Sequence, residues 1–205
     1  MIRHSSNISG IFRFGRCVAS RLDIKDKWRI EVDSAARALK TIRAIGGTQE
    51  SSDNPISVAL NTSSVLVLIE PEWISFDMTL WGPKGLRHHC DGTSIISPKG
   101  KQGNPCGCPS TFTERKKRAK LGTGPQVNTV ILFNLAAAPE IGLFRFQSPS
   151  WRFAESIPGF RSELPETQGS TFCELSIQPI EFTSSQDRKV TYLAPEIRIV
   201  GRDKE

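Results

Sequence analysis

Between residues 81 and 123 the chain loses every period on which a packed core is built. The stretch is dense in Gly, Pro, Cys, His, Lys and Arg, and neither a two-residue alternation nor a helical spacing of apolar residues runs through it. A segment this long without a core of its own reads as an insertion, and something other than apolar burial has to order it. The framework must then come from the two flanking halves. At 205 residues and 22.7 kDa they fit one ordinary domain, so the expectation is a single domain over residues 1–205 with an insertion at about 81–123.

In the first half, residues 8–18 set Ile11, Phe12, Phe14 and Val18 among arginines and glycines, which suggests a short strand or edge hairpin. Residues 27–32 alternate Trp28, Ile30 and Val32 with charged residues, the period of a strand with one buried face. A helix follows: Ser34 is a good N-cap, Ala35, Ala38, Leu39, Ile42 and Ile45 recur at helical spacing, and Gly46 with Gly47 stops the pattern. Residues 56–60 and 65–69 are rich in β-branched side chains and read as strands, closed by Pro71. The second half predicts strands over 127–135 and 142–147, then a helix over 150–157 broken by Pro158. Strands over 172–182 and 190–200 close it. Stripped of extra strands, this order approximates βαββαβ, so the expected class is α+β with a ferredoxin-like or RRM-like antiparallel sheet core.

Composition removes several classes of function. No run approaches the roughly 20 apolar residues of a bilayer crossing, and the arginine-bearing N-terminal stretch lacks the apolar core of a secretory signal. Five cysteines are an odd number for a disulfide framework, and Cys106 and Cys108 stand too close to be partners, which points to a reducing, cytoplasmic setting. Cys17 and Cys173 lie in strand-like segments and read as small core hydrophobes. Three histidines are a poor supply of general bases, and the sequence holds no phosphate-binding Gly loop, no GxSxG elbow and no HExxH helix. Asp91-Gly92 reads as a turn rather than a base beside a metal. The expectation is a non-enzymatic protein with no small-molecule substrate.

The chemistry of the insertion lies in Arg87-His88-His89-Cys90-Asp91-Gly92 and Pro105-Cys106-Gly107-Cys108-Pro109. Zinc takes four such ligands as a tetrahedron, and closing a chelate would order a loop that has no core. The proposed set is Cys90, Cys106 and Cys108 with either His88 or His89; the alternative is free cysteines on a flexible loop. Four protein ligands leave no open position for a catalytic water, so such a zinc would be structural.

The net charge of +6 favours a polyanionic partner, because neutralising phosphates releases condensed counterions. Lys84, Arg87, Lys99, Lys101, Arg115, Lys116, Lys117, Arg118 and Lys120 concentrate positive charge on the insertion, and Arg37, Lys40 and Arg43 line the polar face of the expected helix. These are candidate DNA or RNA contacts that would position rather than specify, with Trp81, Phe112 and Trp151 as candidate stacking residues. The bland reading is a solvated face and core aromatics.

Three stretches carry a resemblance: Ser9-Gly10-Ile11-Phe12-Arg13-Phe14-Gly15; the two cysteine motifs, the second with Gly103-Asn104 before it; and Ile141-Gly142-Leu143-Phe144-Arg145-Phe146 with Ser148 and Trp151. In these the chain resembles the recombination directionality factors of phages that use large serine integrases, proteins often described only as metal-binding. The resemblance implies a factor that binds a serine integrase on DNA and redirects it toward excision. The family pattern has a further cysteine before the strand that begins near Val127, where this chain has Gly122-Thr123-Gly124-Pro125. Either a histidine of the His88-His89 pair supplies the fourth ligand or the metal has been lost. A rival reading is a RAMP-like RNA-binding subunit of a CRISPR effector complex, which would suit an RRM-like core with a zinc-bearing loop, although the glycine-rich C-terminal loop of such subunits is missing. A third is an adaptor for an acidic protein.

Overall fold

The computed structural model describes residues 8–14, 16–18, 21–23, 27–165, 169–183, 187 and 189–201, without the side chains of 16–18, 21–23 and 201. The chain runs β1 (Ile8–Arg13), β2 (Arg16–Val18), β3 (Arg21–Asp23), β4 (Arg29–Val32), α1 (Ala35–Ile45), β5 (Thr48–Gln49), β6 (Ile56–Ala59), β7 (Ser64–Ile69), β8 (Ile74–Gly82), β9 (Gly85–Cys90), β10 (Ile95–Ser97), α2 (Phe112–Lys120), β11 (Gln126–Leu135), β12 (Leu143–Ser148), α3 (Trp151–Glu163), β13 (Thr171–Thr183) and β14 (Lys189–Gly201). This is a mixed α+β fold in which antiparallel pairing dominates. Contacts divide it into two compact units: residues 1–73, 131–146 and 159–205 form the first, and residues 74–130 and 147–158 the second.

The first unit is built on aromatic packing. Phe12, Trp28, Phe133, Phe144 and Phe146 are all buried. Phe12 meets Phe133 edge-on at 5.1 Å between ring centroids and Trp28 at 5.6 Å, while Trp28 meets Phe146 at 5.2 Å. Such edge-to-face pairs add roughly 0.5–1.5 kcal/mol each to the burial of the rings. The indole N–H of Trp28 donates to the Ser63 carbonyl at 3.0 Å, so the large ring is buried without an orphaned donor.

β1 is the short strand of the two expected alternatives, and it is interior, with a partner on each side. It pairs parallel with β12 and antiparallel with β4. Gly10 lies opposite Phe144 and Phe12 opposite Phe146, so the Ile11-Phe12-Arg13-Phe14 and Leu143-Phe144-Arg145-Phe146 runs stand side by side. Gly10 is required by that neighbour: a Cβ there would come within 2.8 Å of the Phe144 ring. Gly10→Ala is therefore expected to destabilise the protein by about 1–3 kcal/mol, the cost of overpacking a filled site, seen as a lower denaturant midpoint.

α1 forms as expected, with the Ser34 hydroxyl accepting from the Arg37 amide at 3.4 Å and Gly46 at φ 79° ending it. Its buried face is centred on Ala38 and Thr41, whereas Leu39 stands 49% exposed. The helix joins β4 to β6, and these are antiparallel, hydrogen-bonded neighbours. In a ferredoxin-like or RRM-like unit the helix would cross between parallel strands separated by a third, so the β4–α1–β6 connection departs from that expectation. β7 pairs with β13, which forms a long hairpin with β14. Cys173 is buried within β13, as a small hydrophobe would be; the matching expectation for the Cys17 side chain falls outside the described residues.

Pro158 does not break α3, which continues to Glu163. The apolar spacing Phe153, Ile157, Phe160, Leu164 is unbroken and all four are buried, which holds a helix through one missing amide.

The stretch read as an insertion without a core period carries regular elements. β9, β10 and α2 all lie within residues 81–123, and β8 lies between β9 and β11. Periodicity overlooked β9 because its inward residues are His88 and Cys90. It overlooked α2 because the helix is basic almost throughout. Its start was nevertheless marked by Thr111 as N-cap: its hydroxyl accepts from the Glu114 amide at 3.3 Å and donates to the Glu114 carboxylate at 3.1 Å.

Candidate metal centre

Two i, i+2 pairs build the site. In an extended strand, residues two apart share a face, so β9 turns His88 and Cys90 to one side and His89 to the other. Cys106 and Cys108 flank Gly107, whose φ of 68° makes a turn that a residue with a Cβ adopts only at a cost. The Cys108 amide donates to Cys106 Sγ at 3.5 Å across that turn. A ladder of backbone bonds joins the two pairs: the Cys106 amide donates to the Thr93 carbonyl at 2.9 Å and Ile95 to Asn104 at 2.8 Å. Asp91 is the expected turn, its Oδ1 accepting from the Thr93 and Ser94 amides at 2.8 and 2.7 Å; those bonds, Ser94 first, hold its carboxyl below the ordinary value.

The ligand atoms of His88, Cys90, Cys106 and Cys108 all lie within 4.8 Å of one another. The Sγ atoms of Cys90 and Cys108 are 3.8 Å apart, and Cys108 Sγ is 3.6 Å from His88 Nε2. A tetrahedral zinc with Zn–S of about 2.3 Å and Zn–N of about 2.0–2.1 Å requires S···S edges of about 3.8 Å and S···N edges of about 3.6 Å. Both measured edges therefore fit an ion at the centre, and the sulfurs are far beyond the roughly 2.05 Å of a disulfide. The cluster can hold a metal ion, and its three thiolates and one imidazole are a donor set that zinc accepts.

Four of the five candidate ligands are thus brought together. His89 is not: its Nδ1 lies 3.0 Å from the Ser97 hydroxyl, and its Nε2 is 3.4 Å from Asp77 Oδ2, an ion-pair distance once the ring is protonated. Strand alternation separates the two histidines, and it was readable from the sequence once β9 was known to be a strand. Residues 123–125, where the resembled family would place a further cysteine, line the cleft beside His88, Cys106 and Cys108. In this chain His88 takes the fourth corner.

Burial pushes the thiols of Cys90 and Cys108 above the ordinary cysteine range; Cys108 and Cys106 add to the rise at Cys90, and Cys106 adds to that at Cys108. It pushes His88 down, aided by His89, so the imidazole is neutral at pH 7 and its lone pair is free to coordinate. A divalent cation reverses the penalty on the thiols, because a coordinated thiol is deprotonated outright.

The cluster rests on a small apolar base of Met78, Val127 and Ala154, with Phe76, Phe112 and Trp151 packed against it. Phe112 sits 5.8 Å from Phe76 and 6.4 Å from Trp151, both edge-on, and the Trp151 indole donates to Gln126 Oε1 at 3.4 Å. Of the three candidate stacking residues, Phe112 and Trp151 are packing residues and Trp81 stands 68% exposed.

Sequence reading placed Arg115 among the nucleic-acid contacts and missed its other use. Its Nε donates to the Pro109 carbonyl at 2.5 Å and its Nη2 to the Gly92 carbonyl at 2.7 Å, with the guanidinium 5.6 Å over the Phe112 ring. One side chain thereby ties together the turns that follow both ligand pairs. Lys84, Arg87, Lys99, Lys101, Lys116, Lys117, Arg118 and Lys120 are exposed, and among the described residues none of them forms an ion pair. In the first unit Arg37 is paired with Asp33, whose carboxyl it holds below the ordinary value, while Lys40 and Arg43 are exposed. No helix is long and apolar enough to cross a membrane among the described residues.

Compared with protein families, the chain matches the family described as "Gp3-like: Recombination directionality factor-like" over residues 11–199. No solved structure matches it.

Proposed function

Because the chain belongs to the Gp3-like, recombination directionality factor-like family, we propose that it is a non-enzymatic factor that docks on a serine integrase held on DNA and turns it from integration toward excision. The match over residues 11–199 carries this reading, since it spans both ligand pairs and most of both compact units. A directionality factor need do no chemistry. It must bind one arrangement of the recombinase–DNA complex more tightly than the other, and a swing from 1:99 to 99:1 takes about a 10⁴-fold difference in affinity.

In this reading a zinc ion held by His88, Cys90, Cys106 and Cys108 is structural, and the exposed cations of α2, Lys116, Lys117, Arg118 and Lys120, add sequence-independent contact to DNA. The RAMP-like alternative leaned on an RRM-like core, and the antiparallel β4–α1–β6 connection gives it no support.

The test is reconstitution. Purified chain added to its cognate serine integrase is expected to suppress joining of the integration sites and permit recombination of the excision sites. Its complex with the integrase is expected to persist in salt that strips phosphate contacts. Failure to associate with the integrase, or copurification with RNA at an absorbance ratio well above that of protein, would overturn the reading.

A further inference from the structure

β8 and β9 run from the cysteine cluster into a hairpin finger closed at Pro83-Lys84. Met78 is paired with Cys90 and Leu80 with His88; past a register shift, Trp81 faces Leu86 and Gly82 faces Gly85 across the turn Pro83-Lys84. The base of the finger is buried at Met78 and Cys90, and its tip is not: Trp81 is 68% and Leu86 41% exposed. Among the described residues the Trp81 indole N–H has no hydrogen-bond partner. A tryptophan carries one of the largest apolar surfaces a side chain can bury, and here it is paired with an exposed leucine.

The tip is stiff. Gly85 takes φ 108°, Pro83 fixes the turn, and the Arg87 stem lies so close over Gly82 that a Cβ there would meet Arg87 Cδ at 2.4 Å. A preformed tip loses little freedom on binding. It is also one-signed: residues 78–90 contain no acid, while Lys84 and Arg87 are exposed and, among the described residues, unpaired. Of the carboxylates that flank it in sequence, Asp77 accepts from the Asn128 amide at 3.0 Å and Asp91 from the Thr93 and Ser94 amides.

Resting on the recombinase-binding reading above, we propose that this finger is the docking element: Trp81 and Leu86 enter an apolar pocket of the recombinase whose rim is acidic, with Lys84 and Arg87 meeting that rim. Tryptophan and arginine are the residue types that dominate binding hot spots, and rim charges act chiefly on association rate. Two cations beside an exposed aliphatic–aromatic pair suit a protein pocket better than a phosphate backbone, which offers the leucine nothing.

The experiment compares full-length chain with its Trp81→Ala and Lys84→Glu/Arg87→Glu variants for binding to the recombinase, binding to DNA alone, and bound metal. Trp81→Ala is expected to weaken recombinase binding by at least about thirtyfold with metal content and DNA binding unchanged. The charge reversal is expected to slow association, most at low salt. Recombinase binding by Trp81→Ala equal to that of the parent would overturn this inference alone, as would a loss confined to DNA, which would make the tryptophan a base-stacking residue. Absence of binding by the parent chain would overturn the family-based reading and this inference with it.

Discussion

Cys108→Ser is expected to reduce bound metal from about one ion per chain to near zero, and to open residues 91–111 to protease while the first unit stays folded. The expectation follows from how little else holds the ligand turns. The buried apolar cluster against them is Met78, Cys90, Val127 and Ala154, and one of these is itself a ligand. Structural zinc sites carry apparent binding energies of about 10–16 kcal/mol at neutral pH, far more than four small or medium side chains supply by burial. The first unit has its own aromatic core around Phe12 and Trp28. Elemental analysis and limited proteolysis read the two halves of the prediction separately. Metal content unchanged in Cys108→Ser would mean that the 3.6 and 3.8 Å edges do not enclose an ion.

Acid should release the same ion. Cys90 and Cys108 have raised pKa values in the metal-free protein, so both are neutral thiols at pH 7 and each must give up a proton to coordinate. Protons compete with the cation, so affinity falls as pH falls. With at least these two protons released per ion, it drops by at least about a hundredfold per pH unit through the neutral range. A titration with no pH dependence there would show that these thiols are not ligands.

The uneven legibility of this chain has a physical cause. Elements whose inward residues are apolar could be read directly: α1 between its Ser34 cap and Gly46, β4 from Trp28-Ile30-Val32, and β13 with β14 from long alternating runs. Residues 81–123 could not, because their inward residues are His88, Cys90, Cys106 and Cys108, a few small side chains set among Gly, Pro and charged residues that make no hydrophobic period. The ligand types were legible by chemistry and the choice of histidine by geometry alone, since His88 and His89 differ only in which face of β9 they occupy. Pro158 shows the converse: a strong local breaker was overruled by buried residues on both sides of it. The parallel register of β1 with β12 joins residues far apart in sequence, and no local pattern announces such a pairing.

Arg115 separates the two uses of the basic tract. If its guanidinium is the clasp between the Gly92 and Pro109 carbonyls, Arg115→Ala should weaken metal binding by about 10–100-fold, the usual cost of removing a partner that orients a metal site. The local loss is about 2–4 kcal/mol: two charge-assisted hydrogen bonds, at the lower end of their range because the guanidinium is only part-buried. Arg115→Lys should not restore the affinity, since an ammonium on a single stem cannot present two diverging N–H groups to both carbonyls at once. Lys116→Ala, one residue along and exposed, should leave metal affinity untouched and, if α2 meets DNA, lower the salt slope of DNA binding by about one. Competition against a chromophoric chelator measures the first effect and a salt titration of DNA binding the second. The opposite pattern, metal affinity insensitive to Arg115 and a salt slope that changes with Arg115 as with Lys116, would return Arg115 to the solvated face and leave the two ligand turns held by the metal and the backbone ladder alone.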